Sequence, residues 1–326
     1  MQHKLIPATV ITGYLGAGKT TLLNRILTGD HGKKIAVIVN EFGEIGIDGD
    51  LLIQSDEEII EMNNGCICCN IRGDLVRIVE SLLRRKLEID CLIIETTGLA
   101  DPGPIIQSFF IDELLVANFS LNAIVTLVDA LHVGQHIQSP EASEQIAFAD
   151  LIIVNKTDLV PEAELEALQS TLKAMNSLAG VVTTTHGQVD VDALMQLKSF
   201  DISNALRIDP AIMQEDSHVH EQGVSSVSLC FDGVVNGQLF NQWIYQFTQQ
   251  HGADVFRSKG ILNLDGAARR FVFQGVHMIL DGRPGKSWLP EESRNNQLVF
   301  IGRNLDAEMI RQQVFACRQL VPLAAT

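Results

Sequence analysis

Short apolar runs alternate with stretches of helical period through the N-terminal part of the chain. Residues 5–11, 33–39, 89–95, 122–129 and 150–154 are apolar segments of strand length, and a shorter one lies near 181–183. Between them, residues 21–27, a stretch ending near 85, and residues 162–175 repeat apolar side chains three and four apart, the spacing of an amphipathic helix. Strands buried on both faces read as continuous runs, and their alternation with helices predicts a mainly parallel sheet with helices on both faces. Asp101-Pro102-Gly103-Pro104 predicts a helix start with Asp101 as its cap. After residue 201 the pattern loosens, and residues 206–223 are polar, without period, and read as a linker. Strands near 224–231, 260–264, 270–280 and 297–302, with helices near 237–251 and 307–320, then predict a smaller C-terminal α+β domain. The expected organisation is an α/β domain over 1–205, a linker over 206–223 and the second domain over 224–326.

The turn after the first strand adds chemistry to this outline. Gly13-Tyr14-Leu15-Gly16-Ala17-Gly18-Lys19-Thr20 fits GxxxxGKT between a strand and a helix, which makes the first domain a P-loop NTPase. Glycines let the backbone curl until several N–H groups converge on phosphate oxygens at the positive end of the following helix. The expected phosphate contacts are Gly13, Gly16, Ala17, Gly18, Lys19, Thr20 and Thr21. Lys19 reaches the terminal phosphates, and the Thr20 hydroxyl is offered to a magnesium ion. The run 89–95 ends in Glu95 and is followed by Thr96-Thr97-Gly98. An acid there sits near magnesium and the terminal phosphate, and the Gly98 N–H faces the γ-phosphate. Residues 40–49, with Glu41, Glu44 and Asp48, read as a switch-like loop at the same strand ends. Asn155-Lys156-Thr157-Asp158 fits NKxD after a later strand. The Asp158 carboxylate accepts from guanine's ring N–H and exocyclic amine at once, a pair of donors that adenine lacks. Asn155 is expected to tie its loop to the P-loop, and the Lys156 stem to lie over the base. The nucleotide is therefore GTP or GDP, with magnesium.

Composition narrows the partners. The chain has 326 residues and a net charge of −16, so a basic nucleic-acid or membrane-surface face is not expected. No signal peptide precedes the first strand, and no apolar run reaches the length of a membrane span, which together suggest a cytoplasmic protein. Of six cysteines, Cys66, Cys68 and Cys69 crowd together while Cys91, Cys230 and Cys317 are scattered and read as inert core thiols. This is not a disulfide framework. The Cys66-Ile67-Cys68-Cys69 run can hold a thiophilic metal such as zinc, copper(I) or cobalt(II). A redox pair, structural thiols and a metal held only for folding are its alternatives. Three thiolates leave one position for a further ligand, for which Glu41 or Glu44 is the candidate.

Taken together, GYLGAGKT, NEFGEIGID, GCICC, ETTGLADP and NKTD resemble the CobW-type GTPases. The resemblance extends into the C-terminal domain and so covers nearly the whole chain. It implies a GTPase of the same superfamily as HypB and UreG. It further implies a metallochaperone that loads zinc or cobalt into a client metalloprotein, with the CxCC cysteines binding metal close to the nucleotide. Two departures stand out. Val39 occupies a position where some members carry a further carboxylate, and only His218 and His220 remain of a histidine-rich linker. His186 reads as an ordinary loop histidine. Slow intrinsic turnover is expected, because no arginine is placed to meet the transition state. The second domain is expected to serve client or homodimer contacts. Two other functions remain open at this stage: a regulatory GTPase with incidental cysteines, and a metal or redox sensor with GTP as a structural ligand.

Overall fold

The structure is a computed structural model that describes residues 5–42, 58–64, 71–85, 88–197, 223–289 and 291–318, with backbone alone for 40–42, 58–64 and 71. It divides into two compact units, 1–200 and 201–326.

The first unit opens with β1 (Ile6–Gly13), α1 (Lys19–Leu27), β2 (Ile35–Phe42), β3 (Glu58–Asn64), α2 (Ile71–Arg84) and β4 (Cys91–Glu95). It continues through α3 (Gly103–Ile111), α4 (Glu113–Asn118), β5 (Phe119–Asp129), α5 (Pro140–Phe148), β6 (Leu151–Asn155), α6 (Glu162–Met175), β7 (Gly180–Thr183) and α7 (Val191–Met195). Seven strands form one sheet in the order β3-β2-β4-β1-β5-β6-β7, and every pairing is parallel. This bears out the α/β expectation. On one face, Leu22, Leu23 and Ile26 of α1 pack with Ile11, Val37, Ile93, Val125 and Ile153. Burying each such side chain contributes about 1.5–3 kcal/mol. The alternate strand positions Ala8, Val10, Ile38, Ile94 and Ile124 are equally buried, as are Leu75 of α2, Ile106 of α3 and Ile146 of α5. From β1 the chain first builds to one side, with β2 and β3, and later to the other, with β5 to β7. Such a reversal opens a crevice at the carboxyl ends of the strands, where the P-loop lies.

Four expectations need correction here. β3 lies where no strand was expected, so β4 and β6 are the fourth and sixth strands rather than the third and fifth. The sequence of β3, EIIEMNN, is too polar for a buried run, because it is the edge strand. Residues 40–42 belong to β2 rather than to the loop after it, and Glu41 pairs in register with Asn63. Asp101 does accept the Gly103 N–H, at 2.7 Å, but the position directly before α3 is Pro102. Lastly, Cys91 and Cys317 are buried as expected, whereas Cys230 is exposed on an edge strand.

The second unit comprises β8 (Val224–Phe231), α8 (Gly237–His251), β9 (Val255–Leu262), β10 (Arg269–Val276), β11 (Ile279–Ser287), β12 (Asn296–Arg303) and α9 (Ala307–Ala316). The sheet is antiparallel, in the order β11-β10-β9-β12-β8. Phe240, Trp243 and Phe247 of α8 and Ile310 and Val314 of α9 pack on Val227, Leu229, Phe273, Leu298 and Phe300. A Cβ at Gly260 would stand 2.1 Å from the Phe273 ring, so only glycine leaves that ring its place. The single strand expected over 270–280 is instead a hairpin, β10 and β11, closed by His277 and Met278. His277 adopts φ +50°, a left-handed conformation for which the sequence offers no Gly or Asn signal.

Candidate functional site

The P-loop owes its shape to its neighbours as much as to its own residues. Gly13 ends β1 at φ +142°, and a Cβ there would meet the Leu127 carbonyl oxygen of β5 at 2.3 Å. Gly18 has φ +103°, and its Cβ would stand 2.5 Å from the Asn155 amide nitrogen. No other residue fits either position. No side chain caps α1, and its first turn carries no acid, so its positive end is available to an anion. Lys19 is 8% exposed, and its ammonium donates to the carbonyls of Gly13 at 2.8 Å and Tyr14 at 3.3 Å. Ala17 is buried, and Thr21 is exposed on the first turn of α1.

Glu95, at the carboxyl end of β4, is 5% exposed and accepts from the Thr20 hydroxyl at 3.4 Å. A hydroxyl and a carboxylate side by side next to a P-loop are hard oxygen donors of the kind that magnesium takes. Behind them, Thr96 N–H donates to the Ile11 carbonyl and Thr96 Oγ1 to Thr12 Oγ1, so the β4 end is bolted to β1. Gly98 lies against Leu15 of the P-loop, where a Cβ would come within 2.7 Å of the Leu15 backbone nitrogen. Gln145 of α5, itself buried, donates Nε2 to the carbonyls of both Gly98 and Ala100. That side chain fixes the Gly98 loop beside the P-loop, and the sequence alone did not single it out.

At the other end of the crevice, Asn155 closes β6. Its Nδ2 donates to the Ala17 carbonyl at 3.0 Å, and its Oδ1 accepts the Gly187 N–H at 3.1 Å. The expected tie between NKxD and the P-loop is thus present, and it extends to the loop after β7. His186 sits in that loop at φ +52°. Lys156 is left-handed at φ +62°, and its ammonium meets Asp129 Oδ2 at 2.7 Å. Asp158 is exposed in the turn Thr157–Leu159. Burial pushes the Asp129 carboxyl up, but hydrogen bonds from Lys156 and His132 outweigh it and hold the group below the usual carboxylate range. His136, in the same loop as His132, stacks on Tyr14 of the P-loop with ring centroids 4.0 Å apart. Burial lowers its pKa and favours the neutral ring. Asp129, His132, His136 and Gln145 carry no motif, and only the fold brings them to the site.

The strands on either side of Glu95 run in register to one end of the sheet. Val39 of β2 pairs with Glu95 of β4 on one side and with Glu61 of β3 on the other. Both β2, with Glu41, and β3 therefore end at the edge that carries Glu95 and the P-loop. Cys66, Cys68, Cys69 and Glu44 lie outside the described residues, as do His218 and His220. Among the described residues, no group of three or more His, Cys, Asp and Glu side chains could hold a metal ion.

Residues 7–183 match the family model described as CobW/HypB/UreG, nucleotide-binding domain, and residues 224–318 match the cobalamin synthesis protein cobW C-terminal domain. The chain is similar to the zinc chaperone YjiA of Escherichia coli, at 35% identity over 94% of this chain and 96% of that protein. It is also similar to the zinc-regulated GTPase metalloprotein activator 1 of Schizosaccharomyces pombe, at 30% identity over 92% and 83%. The crystal structure of the Zn(II)-bound YjiA GTPase superposes with a TM-score of 0.79 at 31% identity, covering 97% of this chain and all of that one.

Proposed function

The chain belongs to the CobW/HypB/UreG family of GTPases, and from that premise we propose that it is a zinc chaperone whose CxCC motif binds the metal beside the nucleotide for delivery to a client metalloprotein. The observation that carries this reading is the strand register. β2 and β3 run parallel beside β4 and end at the edge where Glu95 meets Thr20, and Cys66 follows the last residue of β3 by two positions. The parallel register of β2, β3 and β4 supports a metal site close to the nucleotide. Thiolates favour zinc, and cobalt(II) fits the same ligands. Glu41 or Glu44 completes the ligand set.

In this reading the P-loop amides, the positive end of α1 and Lys19 hold the phosphates. Asn155 and Lys156 frame the base, and Asp158 selects guanine. Thr20 and Glu95 would hold magnesium, which would supply charge neutralisation at the terminal phosphates. Gln145 fixes the Gly98 loop so that its N–H is aimed before GTP arrives, and preorganised donors of this kind lower the barrier without reorganisation. An acid, Glu95 or one within residues 41–48, orients the attacking water or the magnesium. No helix of the described residues is long and apolar enough to cross a membrane; action in the cytoplasm is part of the proposal. The second unit carries no nucleotide motif and is assigned to client or homodimer contacts.

The test is the loss of zinc with the thiolates. Cys66→Ala or Cys68→Ala should weaken zinc binding by on the order of 100-fold or more, since even an outer-shell partner is worth about 10–100-fold. Competition with a chromophoric chelator measures this, and a GTP titration of the same preparation shows that the variant is folded. Zinc bound as tightly by both variants as by the parent would remove the motif from the function.

A further inference from the structure

The end of β5 carries a carboxylate that neither the phosphate contacts nor the metal motif requires. Asp129, the last residue of β5, is 5% exposed, and its two oxygens do different work. Oδ1 accepts the backbone N–H groups of Leu131 at 3.0 Å and His132 at 3.3 Å, which closes the turn. Oδ2 receives the Lys156 ammonium at 2.7 Å and His132 Nδ1 at 2.9 Å. The same turn is joined to the end of β6 by Ala130 N–H on the Asn155 carbonyl, at 3.0 Å.

Lys156 is an unusual residue to find in this backbone conformation. At φ +62° it stands in the left-handed region, where a side chain with a Cβ is disfavoured and persists only if its surroundings hold it. Lys156 lies 27 residues from Asp129 in sequence, between Asn155, which is tied to the P-loop, and Asp158, the acceptor for guanine. A lysine stem with a loose ammonium is among the side chains with most rotamer freedom, and ordering it on nucleotide binding would cost affinity. With the ammonium already anchored, that cost falls on folding and not on binding.

We propose that Asp129 is a positioning residue for guanine recognition, holding the Lys156 ammonium so that the stem and the left-handed turn leading to Asp158 are set before the nucleotide arrives. This rests on the GTP reading given above and deepens it. Asp129 does not touch the nucleotide. It acts through Lys156, and its Oδ1 serves the turn independently.

The division of labour between the two oxygens makes the roles separable. Asp129→Asn keeps an acceptor for the turn at Oδ1 and replaces the lysine's acceptor with an amide that cannot accept. A double-mutant cycle on the full chain, with GTP affinity measured by calorimetry and hydrolysis at steady state, isolates the coupling. Asp129→Asn and Lys156→Ala should each weaken GTP by about tenfold, as befits one hydrogen bond to a charged group. The double variant should be no weaker than Lys156→Ala alone. For Asp129→Asn the loss should fall on KM, with kcat within about twofold of the parent. Additive losses would show that Asp129 acts through the turn and would overturn the proposal, as would parental affinity in Asp129→Asn. Should Asp129→Asn fail to fold, Lys156→Met decides the matter, because it keeps an apolar stem and loses the ammonium. Weakened GTP binding supports the anchor, and parental binding refutes it. A parent that binds no GTP would instead remove the nucleotide reading, which is a separate outcome from additivity in a protein that binds it.

Discussion

Lys19→Ala slows GTP hydrolysis by about 100–1000-fold, the effect of removing one preorganised donor from a developing negative charge. The lysine is already held within its loop: it is buried, and its ammonium rests on the Gly13 and Tyr14 carbonyls. It therefore needs little reorganisation to transfer those hydrogen bonds to phosphate oxygens. Its removal leaves two backbone carbonyls to be met by water, at a cost of about 1–3 kcal/mol. The sheet beneath is held by Ile11, Val37 and Ile93, which the substitution does not touch. Single-turnover hydrolysis, read beside a thermal melt, separates the two effects. A folded variant hydrolysing at the parental rate would mean that the loop is not the phosphate site.

Asp158→Asn shifts base selection from guanine to xanthine. In the proposed base site the carboxylate accepts two charge-assisted hydrogen bonds from guanine, worth about 1.5–3 kcal/mol each. Asparagine still accepts from the ring N–H, but its amide faces the exocyclic amine donor to donor. GTP affinity should fall at least about 100-fold. Xanthosine triphosphate carries a carbonyl in place of that amine and accepts from the new amide, so it becomes the preferred nucleotide. The exposure of Asp158 in the turn Thr157–Leu159 means that the swap disturbs no core packing. Competitive displacement of a fluorescent GTP analogue by each triphosphate reads the outcome. Equal GTP affinity in variant and parent would exclude Asp158 from the base site.

Much of this site was legible in the sequence because phosphate and base recognition use contiguous residues. Glycines at 13 and 18 are required by positive φ and by atoms within 2.5 Å of a would-be Cβ, the Leu127 carbonyl and the Asn155 side-chain amide, and that requirement leaves a local signature. Asn155 was legible as a tie because its motif fixes its neighbours. The supporting contacts leave no such trace. Gln145 reaches Gly98 across 47 residues, Lys156 reaches Asp129 across 27, and His136 meets Tyr14 only because β1 and β5 are neighbours in the sheet. An aspartate after an apolar strand and a histidine in a loop are ordinary residues until the strand order is known. The same holds for the missed elements. β3 is polar because it is an edge, and the β10–β11 turn uses His277 where the usual signal is glycine or asparagine. The alternating hydrophobic code reports burial, and both features lie where burial is incomplete or where tertiary pairing overrides the local preference.

The central claim joins two proposed sites: with the nucleotide on the P-loop and zinc on the CxCC motif that follows β3, each should sense the other. The measurement is zinc affinity in the nucleotide-free, GDP-bound and non-hydrolysable-GTP-bound protein, with cobalt(II) in parallel. The account predicts tighter zinc in the GTP form by about 5–150-fold, a coupling of about 1–3 kcal/mol, with an equal tightening of the GTP analogue by zinc. Zinc affinities that are identical in all three forms would contradict it.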